Sequence, residues 1–392
     1  MPWSQTSPMD QRTQFIADYL REVLSLTELC DLYRISRKTA YKWIERYLRE
    51  GPAGLEERPR RPQSSPNRTA DEVTQALLEA RKRHPSWGGK KLLTLVHTRH
   101  PKWDLPHRST VCDILKRHGM VPKKRNRRHI GHPGKPSSLI LAPNDLWSAD
   151  FKGQFKTGNG RYCYPLTVTD NFSRYLLGCQ GLNSTAVEEA KPVFTRLFEQ
   201  YGLPKRIRTD NGVPFATNTL ARLSKLSAWW VRLGILPELI EPGKPQQNGR
   251  HERMHRTLKD ETTRPPAGSL PAQQRKFNVF IAEFNNERPH EALDQQTPAS
   301  CYQRSAREMP GKLAPLVYPD RFEVRYVSAN GGIRWNRDWV NVSTVCIGEY
   351  VGLEEIGEGI WNVYFGPLKL GRLNERHMRI EDQYGRLKRK NV

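Results

Sequence analysis

Apolar positions along the chain recur first at helical spacing, then alternate, then return to helical spacing and finally alternate again. Over residues 10–50 the spacing predicts three short helices, with Leu20, Val23, Leu24 and then Leu29, Leu32, Ile35 supplying the apolar faces. Ser25-Leu-Thr-Glu28 reads as a capping box, in which the serine hydroxyl and the glutamate carboxylate satisfy each other's free backbone N–H. Ser36 opens the third helix, SRKTAYKWIERYLRE, which should bury Ala40, Trp43 and Ile44 and expose Arg37, Lys38, Lys42 and Arg46. Two helices across a tight turn, the second with a basic outer face, are the layout of a helix-turn-helix. Arg34 stands where such a turn usually uses the freedom of glycine. Residues 51–69 are rich in Pro, Gly and Ser and read as a linker, in which Arg58, Arg60 and Arg61 suit a narrow minor groove.

Residues 70–120 give a second helical group, DEVTQALLEARKRHP, GGKKLLTLVHTRHP and HRSTVCDILKRHG, predicted as another helix-turn-helix domain. Residues 121–137 form a basic connector that carries Lys123, Lys124, Arg125, Arg127 and Arg128 and no acid. From 138 to 305 the pattern changes. LWSADF, RYCYPLTVTD and RYLLGCQGL alternate as strands do, with a hairpin signal, KTGNGR, between the first two. A helix, a short strand (KRIRTD) and further helices follow, which predicts an α/β sheet with helices on both faces. Residues 316–380 hold short strands between Gly or Asn turns and read as a small β-barrel, and 381–392 form a basic tail.

Charge narrows the partners. With 64 Lys and Arg against 41 Asp and Glu the chain carries a formal charge of +23, which suits a polyanion such as double-stranded DNA. Six scattered cysteines form no CxxC pair, which argues against a zinc site and a disulfide framework and fits a reducing compartment. The start of the chain lacks an apolar signal segment, and no apolar run approaches membrane-span length, so a cytoplasmic, nucleoid-associated protein with no membrane partner is expected.

Three acidic residues stand in informative surroundings. Asp150 lies within a strand, Asp210 ends another and opens an Asp-Asn-Gly turn, and Glu252 lies near the start of a helix. Strand ends and helix starts hold a carboxylate rigidly yet leave it accessible. Pro242-Gly-Lys-Pro-Gln-Gln-Asn-Gly249 leads into that helix, where Arg256 and Lys259 share a face with Glu252 and suit the phosphates beside a metal-bound one. Asp150 and Asp210 are held by strands, whereas Glu252 depends on a Gly/Pro-rich approach and is the one expected to be displaced until DNA binds.

Trp147-Ser-Ala-Asp150, Arg208-Thr-Asp-Asn-Gly212 and Pro245-Gln-Gln-Asn-Gly-Arg-His-Glu252 together resemble the DDE motif of bacterial insertion-sequence transposases and the retroviral integrase superfamily. Phe284-Asn-Asn-Glu-Arg-Pro-His290-Glu-Ala-Leu293, with Thr297, Pro298 and Tyr302, resembles the closing segment of insertion-sequence members. Helix-turn-helix modules replace the zinc-binding domain of retroviral integrases, and the 41 residues between Asp210 and Glu252 are more than is typical. The resemblance implies a multidomain α/β chain with an RNase H-like core. It implies that Asp150, Asp210 and Glu252 hold two Mg²⁺ or Mn²⁺ ions that cut and join DNA. It also implies terminal inverted repeats and target DNA as partners and at least a dimer, since two ends are joined together.

Other residues invite weaker readings. Asp170 reads as a fourth carboxylate or as the start of a turn, and Trp229 and Trp230 as base-stacking or core residues. His251 and His255 read as exposed side chains that either touch DNA or do nothing specific, and Arg288 and His290 as structural. Two other functions remain open: a DNA-binding regulator without catalysis, and an RNase H-like nuclease without strand transfer.

Overall fold

The computed structural model describes residues 7–58, 68–121, 139–241 and 245–382. Contacts divide the chain into two compact units, Met1–Arg68 and Thr69–Val392.

The first unit is a three-helix bundle of α1 (Pro8–Leu20), α2 (Leu26–Leu32) and α3 (Arg37–Glu50). The Ser25–Glu28 capping box forms, with the Ser25 N–H donating to Glu28 Oε2 at 2.7 Å, and Ser36 caps α3. Arg34 takes the left-handed conformation at φ 50°, so an L-residue occupies the turn position that favours glycine. The core differs from the expected one. Phe15, Ile16, Leu29, Cys30, Ala40, Trp43, Ile44 and Leu55 fill it, whereas Leu20, Val23, Leu24 and Leu32 are exposed. The reason is that α1 stops at Leu20 and the chain turns at Glu22 (φ 53°), which takes Val23 and Leu24 off the helical face.

In the second unit, α4 (Asp71–Arg83), α5 (Gly89–Arg99) and α6 (Arg108–Arg117) pack around Leu77, Trp87, Leu92 and Val111. The central sheet follows: β1 (Trp147–Phe151), β2 (Phe155–Lys156), β3 (Tyr162–Asp170), β4 (Leu176–Leu182), then α7 (Val187–Tyr201), β5 (Arg206–Thr209), α8 (Lys225–Arg232), β6 (Leu236–Leu239), α9 (Gly249–Thr262) and α10 (Leu270–Asn286). The sheet is mixed. β1 pairs antiparallel with β3 and parallel with β5, β4 flanks β3, and β6 flanks β5.

Period-two alternation gives each sheet face its own cover. Trp147, Ala149, Leu166, Val168, Leu177 and Ile207 meet Phe194 and Phe198 of α7 and Trp230 of α8. Cys163, Leu176 and Cys179 meet Met254 and Leu258 of α9 and Phe277, Phe280 and Phe284 of α10. The α4–α6 bundle is tied to this second cover: His84 Nδ1 lies 2.7 Å from Glu283, Arg83 3.3 Å from Glu287 and Lys90 3.1 Å from Glu291.

The C-terminal strands are β7 (Glu323–Tyr326), β8 (Gly332–Trp335), β9 (Asp338–Asn341), β10 (Tyr350–Gly357), β11 (Ile360–Phe365), β12 (Leu368–Asn374) and β13 (Arg379–Glu381). Pairing runs β13-β12-β11-β10-β7, with β8-β9 as a separate ladder. The strands expected from the pattern are present, but the path ends at β13 and β7, so pairing does not close the expected barrel. Closure requires the first and last strands to meet with the right tilt and stagger, which local alternation does not specify. Their core, including Val327, Ile333, Val351, Leu353, Val363 and Leu373, is continuous with Leu220, Leu223 and Val231.

Candidate active site

The parallel pairing of β1 with β5 places Ser148 opposite Arg208. Two residues on, Asp150 and Asp210 therefore lie at the same, C-terminal end of these two neighbouring strands. Asp150 belongs to the face covered by α9, and its cross-strand partner on β3 is Thr167. Asp210 follows the last residue of β5; its Oδ1 accepts the Gly212 N–H at 3.1 Å, and a Cβ at Gly212 would come within 3.2 Å of Oδ2. The turn glycine thus leaves room for the carboxylate. Asn211 donates to the Ile240 carbonyl at 2.9 Å, which ties this turn to the end of β6.

The approach to α9 is anchored at its end. Buried Arg208 donates through Nε to Glu238 at 2.7 Å and through Nη1 to the Gln247 carbonyl at 3.4 Å. The Gln247 amide exchanges hydrogen bonds with Glu241, accepting from its N–H at 3.0 Å and donating to its carboxylate at 2.8 Å. Glu252 sits in the first turn of α9, exposed, with Arg256 and Lys259 exposed on the same face. Burial pushes the Asp150 carboxyl up to about 7, and the negative charges of Asp210 and, more weakly, Glu252 add to the shift. Asp150 thus senses both other carboxylates.

Behind Asp150 the inner face of α9 carries His251, Met254, His255, Leu258 and Thr262, all buried. This corrects the expectation that the two histidines are exposed and free to touch DNA: His251 is 2% and His255 6% exposed. Both Nε2 atoms lie 2.6 Å from the Thr167 hydroxyl, which itself donates to the Asp150 carbonyl at 3.0 Å. His251 Nδ1 lies 3.0 Å from the Thr169 hydroxyl, and His255 Nδ1 lies 3.7 Å from Asp150 Oδ2. Burial drives the imidazole of His251 down to about 3 and that of His255 to about 2, so both are neutral near pH 7. Sequence reasoning missed these residues. The available signal was the spacing 251, 254, 255, 258, which is a buried helical stripe with histidine at two of its positions.

Asp170 is a turn residue: it is 1% exposed and accepts from the Asn144 N–H (2.8 Å), the Ser173 N–H (2.8 Å) and the Ser173 hydroxyl (2.6 Å). Trp230 is fully buried against Phe194 and Trp229 packs on Phe198, so both belong to the core. Tyr302 donates to Asn144 Oδ1 at 3.0 Å, and the Trp147 indole donates to the same oxygen at 3.0 Å, so the closing segment braces the start of β1. Arg288 pairs with Glu261 at 3.2 Å. On α3, Arg37, Lys38 and Lys42 are exposed, while Arg46 is half-buried with its guanidinium 5.1 Å from the Trp43 ring centre. Lys42 stacks on the same ring at 4.5 Å, and Arg37 donates to Thr27 at 3.0 Å. Arg58 pairs with Glu50. Arg60, Arg61, Lys123, Lys124, Arg125, Arg127 and Arg128, and the tail beyond residue 382, lie outside the described residues.

The donor set suits a hard divalent cation. Carboxylates gathered at one end of neighbouring strands, one of them holding its proton to about pH 7 because of burial and its neighbours' charge, are relieved by an ion that takes oxygen ligands. Asp150, His251 and His255 also place ligand atoms within 4.8 Å of one another.

Among known protein families, two models described as "Integrase core domain" match residues 141–245 and 233–298. A "Helix-turn-helix domain" matches residues 11–63 and a "Homeodomain-like domain" residues 39–115. An uncharacterized 31.7 kDa protein of insertion element IS407 from Burkholderia multivorans is 28% identical over 50% of this chain and 70% of its own length. An uncharacterized 39.2 kDa protein of insertion element IS476 from Xanthomonas euvesicatoria is 28% identical over 60% of this chain; the chain spans 65% of that relative, just under two thirds. The HTLV-2 integrase catalytic core domain, solved in complex with magnesium, aligns over 42% of this chain and 99% of its own, with 17% identity and a TM-score of 0.34. Among the described residues no helix is long and apolar enough to cross a membrane.

Proposed function

We propose, from the premise that this chain belongs to the bacterial insertion-sequence transposases of the retroviral integrase superfamily, that it binds the ends of an insertion sequence, cleaves their 3′ ends and joins them to target DNA. Along this chain the helix-turn-helix and homeodomain-like matches precede the integrase-core matches. The observation that carries the reading is that Asp150 on β1 and Asp210 just past the end of the adjacent parallel strand β5 lie at the same end of the two strands, with Glu252 entering on α9 and its charge reaching Asp150.

In this reading Asp150, Asp210 and Glu252 hold two Mg²⁺ or Mn²⁺ ions. When bound, such ions supply charge neutralisation at the phosphate and activation of water for cleavage or of a DNA 3′-hydroxyl for joining. The chain's own residues position the DNA. Arg256 and Lys259, on the Glu252 face of α9, take flanking phosphates, and Arg208 and Gln247 hold the start of that helix in place. The basic surface of α3 (Arg37, Lys38, Lys42, Arg46) reads the terminal repeat in the major groove, with residues 1–50 and 70–120 as separate DNA-binding domains. Two ends must be held at once, so the working form is at least a dimer.

Joining of a labelled terminal-end duplex to a plasmid, with Mg²⁺ or Mn²⁺, tests this. Asp150→Asn and Glu252→Gln should each lower joining by at least about 1,000-fold while leaving end binding intact. Wild-type protein that binds ends but neither cuts nor joins would be a regulator, and cutting without joining would mark a nuclease. Undiminished joining by both variants would remove the carboxylates from the chemistry.

A further inference from the structure

The hydrogen bonds behind Asp150 determine where two buried histidines carry their protons. The Thr167 hydroxyl has a single proton, and because the Asp150 carbonyl can only accept, that proton is spent on the 3.0 Å bond to it. The same oxygen is 2.6 Å from Nε2 of His251 and 2.6 Å from Nε2 of His255, and it has only lone pairs left to offer them. Both rings therefore donate from Nε2. His251 has a second partner at Nδ1, the Thr169 hydroxyl at 3.0 Å. His255 does not: its Nδ1 faces Asp150 Oδ2 at 3.7 Å, beyond hydrogen-bond distance. Two electron-pair donors thus face each other across a gap, and packing of the α9 stripe against β3 keeps them there.

We propose that His255 Nδ1 and the Asp150 carboxylate are ligands of the same divalent cation, and that this nitrogen makes the site favour Mn²⁺ over Mg²⁺. The inference rests on the reading of Asp150 as a metal-holding carboxylate and goes beyond the three-carboxylate set. Imidazole nitrogen suits transition-metal cations, whereas Mg²⁺ takes oxygen ligands and keeps its waters. A ligating histidine usually donates its other ring N–H to a neighbour, which orients the coordinating nitrogen; here Thr167 is that neighbour. Adjacent ligands on one cation, with bonds of about 2.0–2.2 Å, lie about 3 Å apart, so closing the 3.7 Å gap takes a movement well under 1 Å.

The experiment uses the full chain, free of DNA and stripped of metal, titrated with Mn²⁺ while free Mn²⁺ is read by electron paramagnetic resonance. His255→Phe should weaken Mn²⁺ binding by at least about 10-fold and change Mg²⁺ affinity, read by competition, by no more than about 2-fold. Pulsed resonance on the Mn²⁺-loaded wild type should show the hyperfine coupling of a directly bound imidazole nitrogen, absent from His255→Phe. That spectrum needs no variant, so a misfolded His255→Phe leaves the test standing. If Mn²⁺ binds, is lost in Asp150→Asn, and shows no nitrogen coupling in wild type, the inference is overturned and the carboxylate reading survives. Coupling that persists in His255→Phe overturns it too. If wild type binds no Mn²⁺, or Asp150→Asn binds it equally well, the metal reading of Asp150 falls with it.

Discussion

On one face of the central sheet, Trp147, Ala149, Leu166, Val168 and Ile207 meet Phe194, Phe198 and Trp230 in an uninterrupted apolar layer. On the other, Cys163, Leu176 and Cys179 meet Met254, Leu258, Phe277 and Phe280, but where β1 and β3 run alongside the first turns of α9 the layer becomes polar. Ser148, Asp150, Thr167 and Thr169 point there, and His251 and His255 come down on them. Buried polar groups cost free energy unless they bond to one another, and these do. The comparison teaches that one sheet divides the labour: the dry face supplies cohesion, and the other gives up apolar contact near its edge to hold a carboxylate rigidly among hydrogen-bonded neighbours.

The largest effect expected from breaking this division is on the dry side. Phe194 is fully buried and packs edge-to-face with Trp230 at 4.9 Å between ring centres. Phe194→Ala should cost about 3–5 kcal/mol, read by urea unfolding, because the cavity has little freedom to collapse. Mn²⁺ affinity of the folded protein should stay within about 2-fold of wild type; a larger loss would show that the faces are not independent.

The next effect is on the polar side and depends on pH. Folded, Asp150 releases its proton near pH 7, against about 3.9 when unfolded. Between these values the metal-free folded chain binds the extra proton, so Asp150's contribution to stability is full below about pH 4 and is lost as pH rises through 7. Asp150→Asn has no such dependence. With chelator present, the variant should match wild type near pH 4 and exceed it at pH 8, by up to about 4 kcal/mol for a shift of three units. The difference between the two curves isolates Asp150 from the buried histidines, which lose stability in the opposite direction, as pH falls below their unfolded value. Equal slopes for the two proteins would mean that Asp150 is better solvated than its position suggests.

How much of this was legible differs between the same two faces. The apolar layer follows from local alternation in LWSADF, RYCYPLTVTD and RYLLGCQGL, and the caps at Ser25 and Ser36 from side-chain chemistry a few residues apart. Asp150 in a strand and Asp210 ending one were readable for the same reason. The polar island was not, because it exists only once α9 lies across β3: Thr167 and His255 are 88 residues apart in sequence. A histidine counts as polar in a pattern, so the α9 stripe looked interrupted where it continues. Asp170 and Trp230 were ambiguous because a buried turn carboxylate and a reactive one share the same neighbours in sequence. The open C-terminal sheet was hidden for a longer-range reason, since whether the end strands β7 and β13 meet is decided between segments more than fifty residues apart.

The smallest expected effect is also the most local. Thr167→Val keeps the shape of the side chain and removes only the hydroxyl that accepts from both histidines and donates to the Asp150 carbonyl. The carbonyl retains a second route to satisfaction through the strand ladder, and His251 can carry its proton on Nδ1 instead and donate it to the Thr169 hydroxyl. His255 keeps nothing at Nε2, so about one buried N–H is left without an acceptor, which costs about 1–3 kcal/mol. That is less than the loss at Phe194 because no cavity opens. Thr167→Ser should recover most of the stability, since the hydroxyl returns and only a methyl is missing. If instead valine is tolerated and serine is not, Thr167 contributes packing rather than a hydrogen-bond acceptor, and the polar side of the sheet would hold together for the same reason as the dry one.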